Sequence, residues 1–261
     1  MEEIKIIEVN GGRDLKRFMQ VPHDIYRNDP KWVPPLEMDL KKTLARSYPF
    51  FEHGDGQLFL AMRGGRPVGR ISAQVNDAHL SKYNDGVGFF GWFECIDDQQ
   101  VCDALVSRAK EWLRACGRPL THIRGPLNWD INGENPGVLV EDHRPGPPAI
   151  LMAHSAPWYD RLLTNAGFAK EKDLFAWWVV EREGLGDDMM RVAKMAEKRL
   201  PPFTTRPIDF KKGFKADMQI VRELFNSAWS ENWGSVDLTQ AEIDVIAKGL
   251  KPIAAPEVTR V

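Results

Sequence analysis

The sequence predicts an α+β fold, a sheet with helices on its faces. Three observations carry this. Residues 57–62 and 68–75 are apolar runs on either side of Gly64-Gly65-Arg66-Pro67, the signature of a hairpin around a glycine turn. Residues 86–93 are nearly all aromatic or glycine, as a strand buried on both faces would be. Residues 99–116 repeat Val101, Ala104, Leu105, Ala109, Trp112, Leu113 and Cys116 at helical period, with Asp97-Asp98 to cap the start and Gly117 to stop the end.

The remaining elements follow in order. Residues 3–9 alternate and are β-branched, a first strand broken by Asn10-Gly11-Gly12. A helix over 14–26 gathers Leu15, Phe18, Met19, Pro22 and Ile25 on one face, with Pro22 as a kink or a stop. Asp29-Pro30 and Pro34-Pro35 bracket Trp32-Val33 as an apolar loop anchor, and a second helix spans 36–45. After Gly117 come a strand at 122–125, a loop rich in Asn, Gly and Pro over 126–148, a short strand at 150–153, a helix over 157–166 and an aromatic strand over 174–180. Residues 1–183 read as one domain and 184–202 as a helical, basic linker. Residues 203–261 add one strand (203–208) and two helices (216–230 and 239–250).

Composition narrows the function. With 35 Lys+Arg against 37 Asp+Glu, 43% apolar and 28% charged residues, the 261-residue chain is ordinarily globular and lacks the basic excess of a nucleic-acid-coating protein. Arg191, Lys194, Lys198, Arg199, Arg206, Lys211, Lys212 and Lys215 are read as a solvated helix and linker. No apolar run approaches a membrane span, and the N-terminus is acidic where a signal peptide is basic, so a cytoplasmic protein without nucleic-acid or membrane partners is expected. Cys95, Cys102 and Cys116 match no zinc spacing, and His23, His53, His79, His122, His143 and His154 are scattered, so no metal site is expected.

Asn128, Asn132, Glu134, Asn135, Glu141, His143 and His154 put polar groups near a sheet end, where ligands commonly bind; a turn-rich loop capping its own backbone would use the same residues. Gly86, Gly88 and Gly91 match GxGxxG, but inside a strand the match opens no helix and is a decoy.

The order strand, two helices, hairpin, central strand, helix, strand, helix, strand over residues 3–180 resembles the GNAT acyltransferase superfamily. Three segments are similar to a bacterial GNAT-like family with tandem units: Val21-Pro22 to Pro34-Pro35-Leu36, which contains YRNDPKWVPPL; Pro49-Phe50-Phe51 to Asn76; and Arg124-Gly125-Pro126-Leu127-Asn128 to Leu139-Val140-Glu141. The resemblance implies a mixed, mostly antiparallel sheet flanked by helices, with residues 203–261 as a partial second GNAT-like unit. It also implies an acetyl-CoA or other acyl-CoA donor, its pyrophosphate on N–H groups where the central strand leads into its helix. Gly91, Trp92 and Phe93 would position the donor, with Gln99, Gln100, Val101 and Cys102 on its phosphates.

The family pattern of Arg or Gln, two residues, Gly, one residue, Gly or Ala falls on Asp97, Gln100 and Cys102, and departs at all three. Asp97 and Asp98 would repel a pyrophosphate, and an aspartate cap would occupy its N–H groups. The general-acid tyrosine of many GNAT enzymes falls on Leu163; Tyr159 lies one turn earlier on the same face and serves either as a displaced acid or as packing.

Two functions follow. In the first, an acyl group moves from acyl-CoA to the amine of a small-molecule acceptor, with Asn128 and Tyr159 as catalytic helpers and Asn132, Glu134, Asn135 and His154 on the acceptor. In the second, a non-catalytic GNAT-like module binds a small metabolite or a protein. Val221, Leu224, Phe225, Trp229, Ile243, Ile246 and Leu250 in the tail demand burial, so the tail is expected to dock on the first domain or on a second copy in a homodimer.

Overall fold

A computed structural model describes residues 2–132, 136–149, 151–177, 186–199, 204–252, 254–255 and 259–261. Strands β1 (Lys5–Val9), β2 (Gly54–Arg63), β3 (Arg66–Asn76), β4 (Val87–Cys95) and β5 (His122–Arg124) form one sheet in that order, antiparallel throughout except for the parallel β4–β5 pair. The alternation along β2 decides what each face buries. Phe59 and Ala61 join Ile71, Ala73 and Val75 of β3 under α4 (Gln99–Ala115), while Leu58, Leu60 and Met62 point to α1 (Gly12–Ile25) and α2 (Glu37–Thr43). On α4 the buried residues Val101, Cys102, Leu105, Val106, Ala109 and Leu113 make one stripe, as the helical period requires.

The α1 face also buries a polar stripe from β3: Arg70, Ser72, Gln74 and Asn76. Each finds a partner, as buried polar groups must. Ser72 Oγ donates to Gln74 Oε1 (2.6 Å), the Gln74 amide donates to Leu127 O, and Asn76 Oδ1 accepts the His79 N–H (3.0 Å). Arg70 Nη1 donates to Phe18 O (3.1 Å). That carbonyl stands four residues before Pro22, which is inside α1 and has no N–H to give it. A helix defect in the sequence thus supplies the acceptor that orients Arg70.

Ser72 pairs with Gly91 and Arg70 with Glu94, so Trp92 and Phe93 together oppose Ile71 in a β-bulge, with Trp92 at φ 47°. The β4–β5 pairing ends at Phe89 and Arg124. Beyond it the chain turns through a cis Gly125-Pro126 bond and crosses β4. Leu127 N–H donates to Phe90 O (2.8 Å), and Asn128 Oδ1 accepts the Trp92 N–H (2.7 Å).

Three expected strands are corrected. Residues 151–153 and 174–177 carry no strand, and Leu174, Phe175 and Trp177 are exposed; β-propensity needs a neighbour to pair with, and none faces them among the described residues. Residues 150, 178–180 and 203 lie outside the described ones. In place of a strand at 204–208 there is a single bridge, Pro207 with Arg260, a proline being a poor ladder donor. The structure adds α3 (Asp77–Tyr83), capped by Asn76, and a 3-10 turn at Pro49–Glu52.

The later helices are α5 (Tyr159–Asn165), α6 (Asp187–Arg199), α7 (Phe214–Trp229) and α8 (Gln240–Leu250). The tail lies against the first domain of its own chain. Lys82 Nζ donates to Ser230 O (2.9 Å), Tyr83 Oη to Ser235 O (2.9 Å) and Asn132 Nδ2 to Val236 O (2.9 Å).

His53 Nε2 lies 2.8 Å from Glu242 Oε1, with both side chains largely buried. The hydrogen bond to Glu242 raises His53 above the ordinary imidazole value, although burial opposes it. Burial pushes Glu242 up, but the bonds from His53 and the Thr239 N–H outweigh it and leave the carboxyl below its usual value. A raised imidazole stabilises fully below the unfolded value and loses its contribution as pH rises through the folded one. A depressed carboxyl stabilises above its unfolded value and loses its contribution as pH falls through the folded one. Docking of α8 is therefore expected to be tightest between the ordinary values of 4.5 and 6.5 and to loosen on the alkaline side. His53→Ala should cost about 1.5–3 kcal/mol, as loss of a charged hydrogen bond does, and abolish the alkaline loosening. Hydrogen exchange of α8 against pH checks both.

Candidate active site

The C-terminal end of β4 gathers side chains from four elements. Glu94 Oε2 accepts the hydroxyls of Tyr26, just past α1 (2.8 Å), and Tyr159, the first residue of α5 (2.5 Å); Oε1 lies 3.6 Å from Arg70 Nη2. The Tyr159 oxygen in turn accepts the Cys95 N–H (3.1 Å), and Trp158 Nε1 donates to Cys95 O (2.9 Å). Burial holds the Glu94 carboxyl above its usual range against the pull of Arg70 and the two tyrosines. Burial and then Glu94 itself push both tyrosine hydroxyls up, so both stay protonated as donors.

Beside this cluster a cleft of about 320 Å³ opens, lined by Leu139, Val140, Asp142, His154, Ser155 and Asp160 among others. His154 Nε2 lies 2.8 Å from Asp29 Oδ2, and its ring packs on the Tyr26 ring at 5.2 Å. Burial acts on Asp29 in the opposite sense, but the Lys31 N–H and His154 hold its carboxyl below the usual range. Lys31 Nζ closes the cleft wall by bonding Asp142 (3.1 Å) and Arg144 O (2.7 Å).

Of the residues singled out in the sequence, Tyr159 and His154 come together here, joined by Tyr26 and Glu94. The Tyr159 hydroxyl is occupied at both ends, its proton on Glu94 and a lone pair on Cys95 N–H. That geometry makes it the tie between α5 and β4, and a proton donated to a thiolate would have to leave Glu94 first. Asn128 holds the Trp92 N–H. A Cβ on Gly91 would lie 1.9 Å from Leu127 O, so the glycine serves the chain crossing. The Trp92 ring is buried on the α1 face, and Phe93 meets the Tyr159 ring at 5.1 Å. Asn132 is spent on the tail through Val236 O, and Glu134 and Asn135 lie outside the described residues.

At the start of α4, Asp98 Oδ1 accepts the Gln100 N–H (2.8 Å), the Cys102 N–H already bonds Asp98 O (3.2 Å), and the Val101 and Cys102 side chains are core. Gln99 Nε2 bonds Asp103 (2.8 Å) and Leu162 O (3.0 Å). The expected bare repulsion at this helix start is corrected in one respect, because each acid has a cation: Asp98 pairs with Arg63 (2.8 Å) and Asp97 with Arg161. Replacing both acids by glycine frees an N–H group and two arginines at a helix N-terminus. Acetyl-CoA affinity is expected to rise about tenfold at low salt, with the gain shrinking as salt screens it. Calorimetric titration at two ionic strengths checks this. Among the described residues no cluster of three His, Cys, Asp or Glu side chains could hold a metal, and no helix is long and apolar enough to cross a membrane.

No protein-family model matches the chain. It is 37% identical to the bacterial ceramide synthase of Caulobacter vibrioides over 255 residues, 96% of this chain and 64% of that protein. To Protein YghO of Escherichia coli K12 it is 36% identical over 238 residues, 91% of this chain and 59% of that one. The five-stranded sheet, antiparallel except for the β4–β5 pair and flanked by helices, is the mixed, mostly antiparallel sheet that the GNAT resemblance implies, without a strand at 174–177. The fold is GNAT-like. Among solved structures, an aminoglycoside acetyltransferase from an uncultured soil metagenomic sample, in complex with sisomicin, has a TM-score of 0.40 at 11% identity, covering 68% of this chain and 97% of that one. The GNAT-like chain spans less than two thirds of the length of either curated relative.

Proposed function

We propose that this GNAT-like chain belongs to an acyltransferase that moves an acyl group from acyl-CoA to the amine of a small-molecule acceptor. The observation that carries the reading is the meeting, at the end of β4, of the bulged strand, the start of α4 and the cleft beside His154. A thioester laid along the bulge would meet an acceptor entering from the cleft. Glu94, saturated by two tyrosines and faced by Arg70, fixes α1, β3, β4 and α5 around that meeting point. The Caulobacter relative supports the chemistry, since a ceramide is an amide made by acylating an amine.

A second reading, a module that binds without catalysis, is favoured by Asp98, whose carboxylate fills the α4 N-terminus where phosphates would sit. One experiment separates the two: titration of acetyl-CoA and longer acyl-CoAs, followed by thiol release with a panel of primary amines. Micromolar binding with amine-dependent release is expected. Binding without release supports the module, and no binding removes acyl-CoA as donor.

A further inference from the structure

α6 is long enough to have two faces and too short to stand in water without covering one of them. Isolated helices of fewer than ~12–15 residues are marginal in water, and in proteins packing of an amphipathic face holds them. The 13 residues of α6 include no buried side chain, and Met189 and Val192 are each 61% exposed. Among the described residues no α6 side chain hydrogen-bonds or pairs with another element; the Arg191–Asp188 pair (2.6 Å) is internal to the helix. At the helical period Met189, Val192, Ala193 and Ala196 share one arc, and Arg191, Lys194 and Lys198 share the opposite one. Asp187 and Asp188 sit in the first turn, where the helix dipole favours acids. Over residues 189–199 the four cations Arg191, Lys194, Lys198 and Arg199 then stand against Glu197 alone.

We propose that α6 docks on an anionic lipid bilayer, with the Met189, Val192, Ala193 and Ala196 face among the lipid chains just below the headgroups and the cations drawn to the lipid phosphates. An apolar face opposite a cationic one, on a helix of low net hydrophobicity, is the pattern of an interfacial helix. The excess of cations selects an anionic surface. A second copy of the chain is a poorer occupant, because the apolar face runs only about 12 Å at 1.5 Å per residue. Two such faces fall far short of the roughly 1,000 Å² that a stable protein interface buries. A bilayer sets no such threshold, conforms to a convex helix and attracts each cation separately.

The test uses the full chain and two sets of sucrose-loaded vesicles, one of phosphatidylcholine and one of phosphatidylcholine with an equal part of phosphatidylglycerol. Co-sedimentation with the anionic set is expected, weakened by salt, together with slower hydrogen exchange in α6. Lys194→Gln with Lys198→Gln should weaken it about 30-fold, at the ~1 kcal/mol that each cation near a charged surface contributes. Met189→Gln with Val192→Gln keeps every charge and should weaken it about tenfold or more through lost apolar burial. Neither pair should move the melting midpoint without vesicles, since α6 buries nothing in its own chain. A midpoint that falls in either pair shows α6 held by its own chain and overturns the proposal. So do equal binding to the two sets, binding to neither, binding unchanged in either pair, and exchange in α6 that slows with protein concentration alone, as a second copy would make it. None of these readouts uses turnover, so acyl transfer stands or falls separately.

Discussion

Glu94→Ala is expected to cost about 3–5 kcal/mol of fold stability, the range for removing one partner of a buried ionic cluster. The substitution strands three groups at once: the Tyr26 and Tyr159 hydroxyls lose their acceptor, and Arg70 loses its carboxylate. Glu94→Gln keeps an oxygen for the tyrosines and should cost much less. The sign of its pH dependence follows from burial, which raises the Glu94 carboxyl. A raised carboxyl stabilises fully below its unfolded value and loses that contribution as pH rises through its folded one. The stability gap between wild type and Glu94→Gln should therefore narrow with rising pH in urea melts. A gap that widens instead would mean that Arg70 governs the ionisation.

Gly91→Ala is expected to destabilise by about 3 kcal/mol or more, the upper end of overpacking penalties. Its Cβ would sit 1.9 Å from Leu127 O and 2.6 Å from Leu127 C, and because both are backbone atoms no rotamer relieves the clash. Residues 125–128 would have to swing off β4, breaking the bonds from Gln74 to Leu127 O and from the Trp92 N–H to Asn128. Gly146→Ala, with nothing within 4 Å of the added carbon, is the control and should leave the melting midpoint unchanged. Equal midpoints for the two variants would mean that the crossing over β4 is absent.

The sheet was legible because its strands obey simple periods: the hairpin at Gly64-Gly65, the aromatic run of β4 and the apolar stripe of α4 each have one structural solution. The site was only half legible. His154 belongs to the polar loop near a sheet end, and Tyr159 lies one helical turn before the position that the GNAT resemblance gives to a general acid, whereas Glu94 follows Phe93, where the aromatic run that marks the central strand stops. The signal was a single carboxylate next to a run of buried aromatics. The buried stripe Arg70, Ser72, Gln74 and Asn76 is absent from a reading of 68–75 as an apolar run; only the crossing chain and the carbonyl left by Pro22 show why these polar residues are inside. Residues 174–177 failed for the opposite reason, since aromatic content reports a wish for burial and not the partner that would grant it.

The polar cluster also has an order in time. The β2–β3 hairpin closes over a two-residue turn, whereas Tyr26 reaches Glu94 across 68 positions of chain, Tyr159 across 65, and Arg70 reaches Phe18 across 52. Contacts of such separation carry the largest loop-closure cost and form late. A nascent chain should own its β2–β3 hairpin well before it owns its site. Variants that loosen α5 should accordingly leave strand content intact while dissolving the Glu94 cluster, which ties the assembly of the site to the last step of folding.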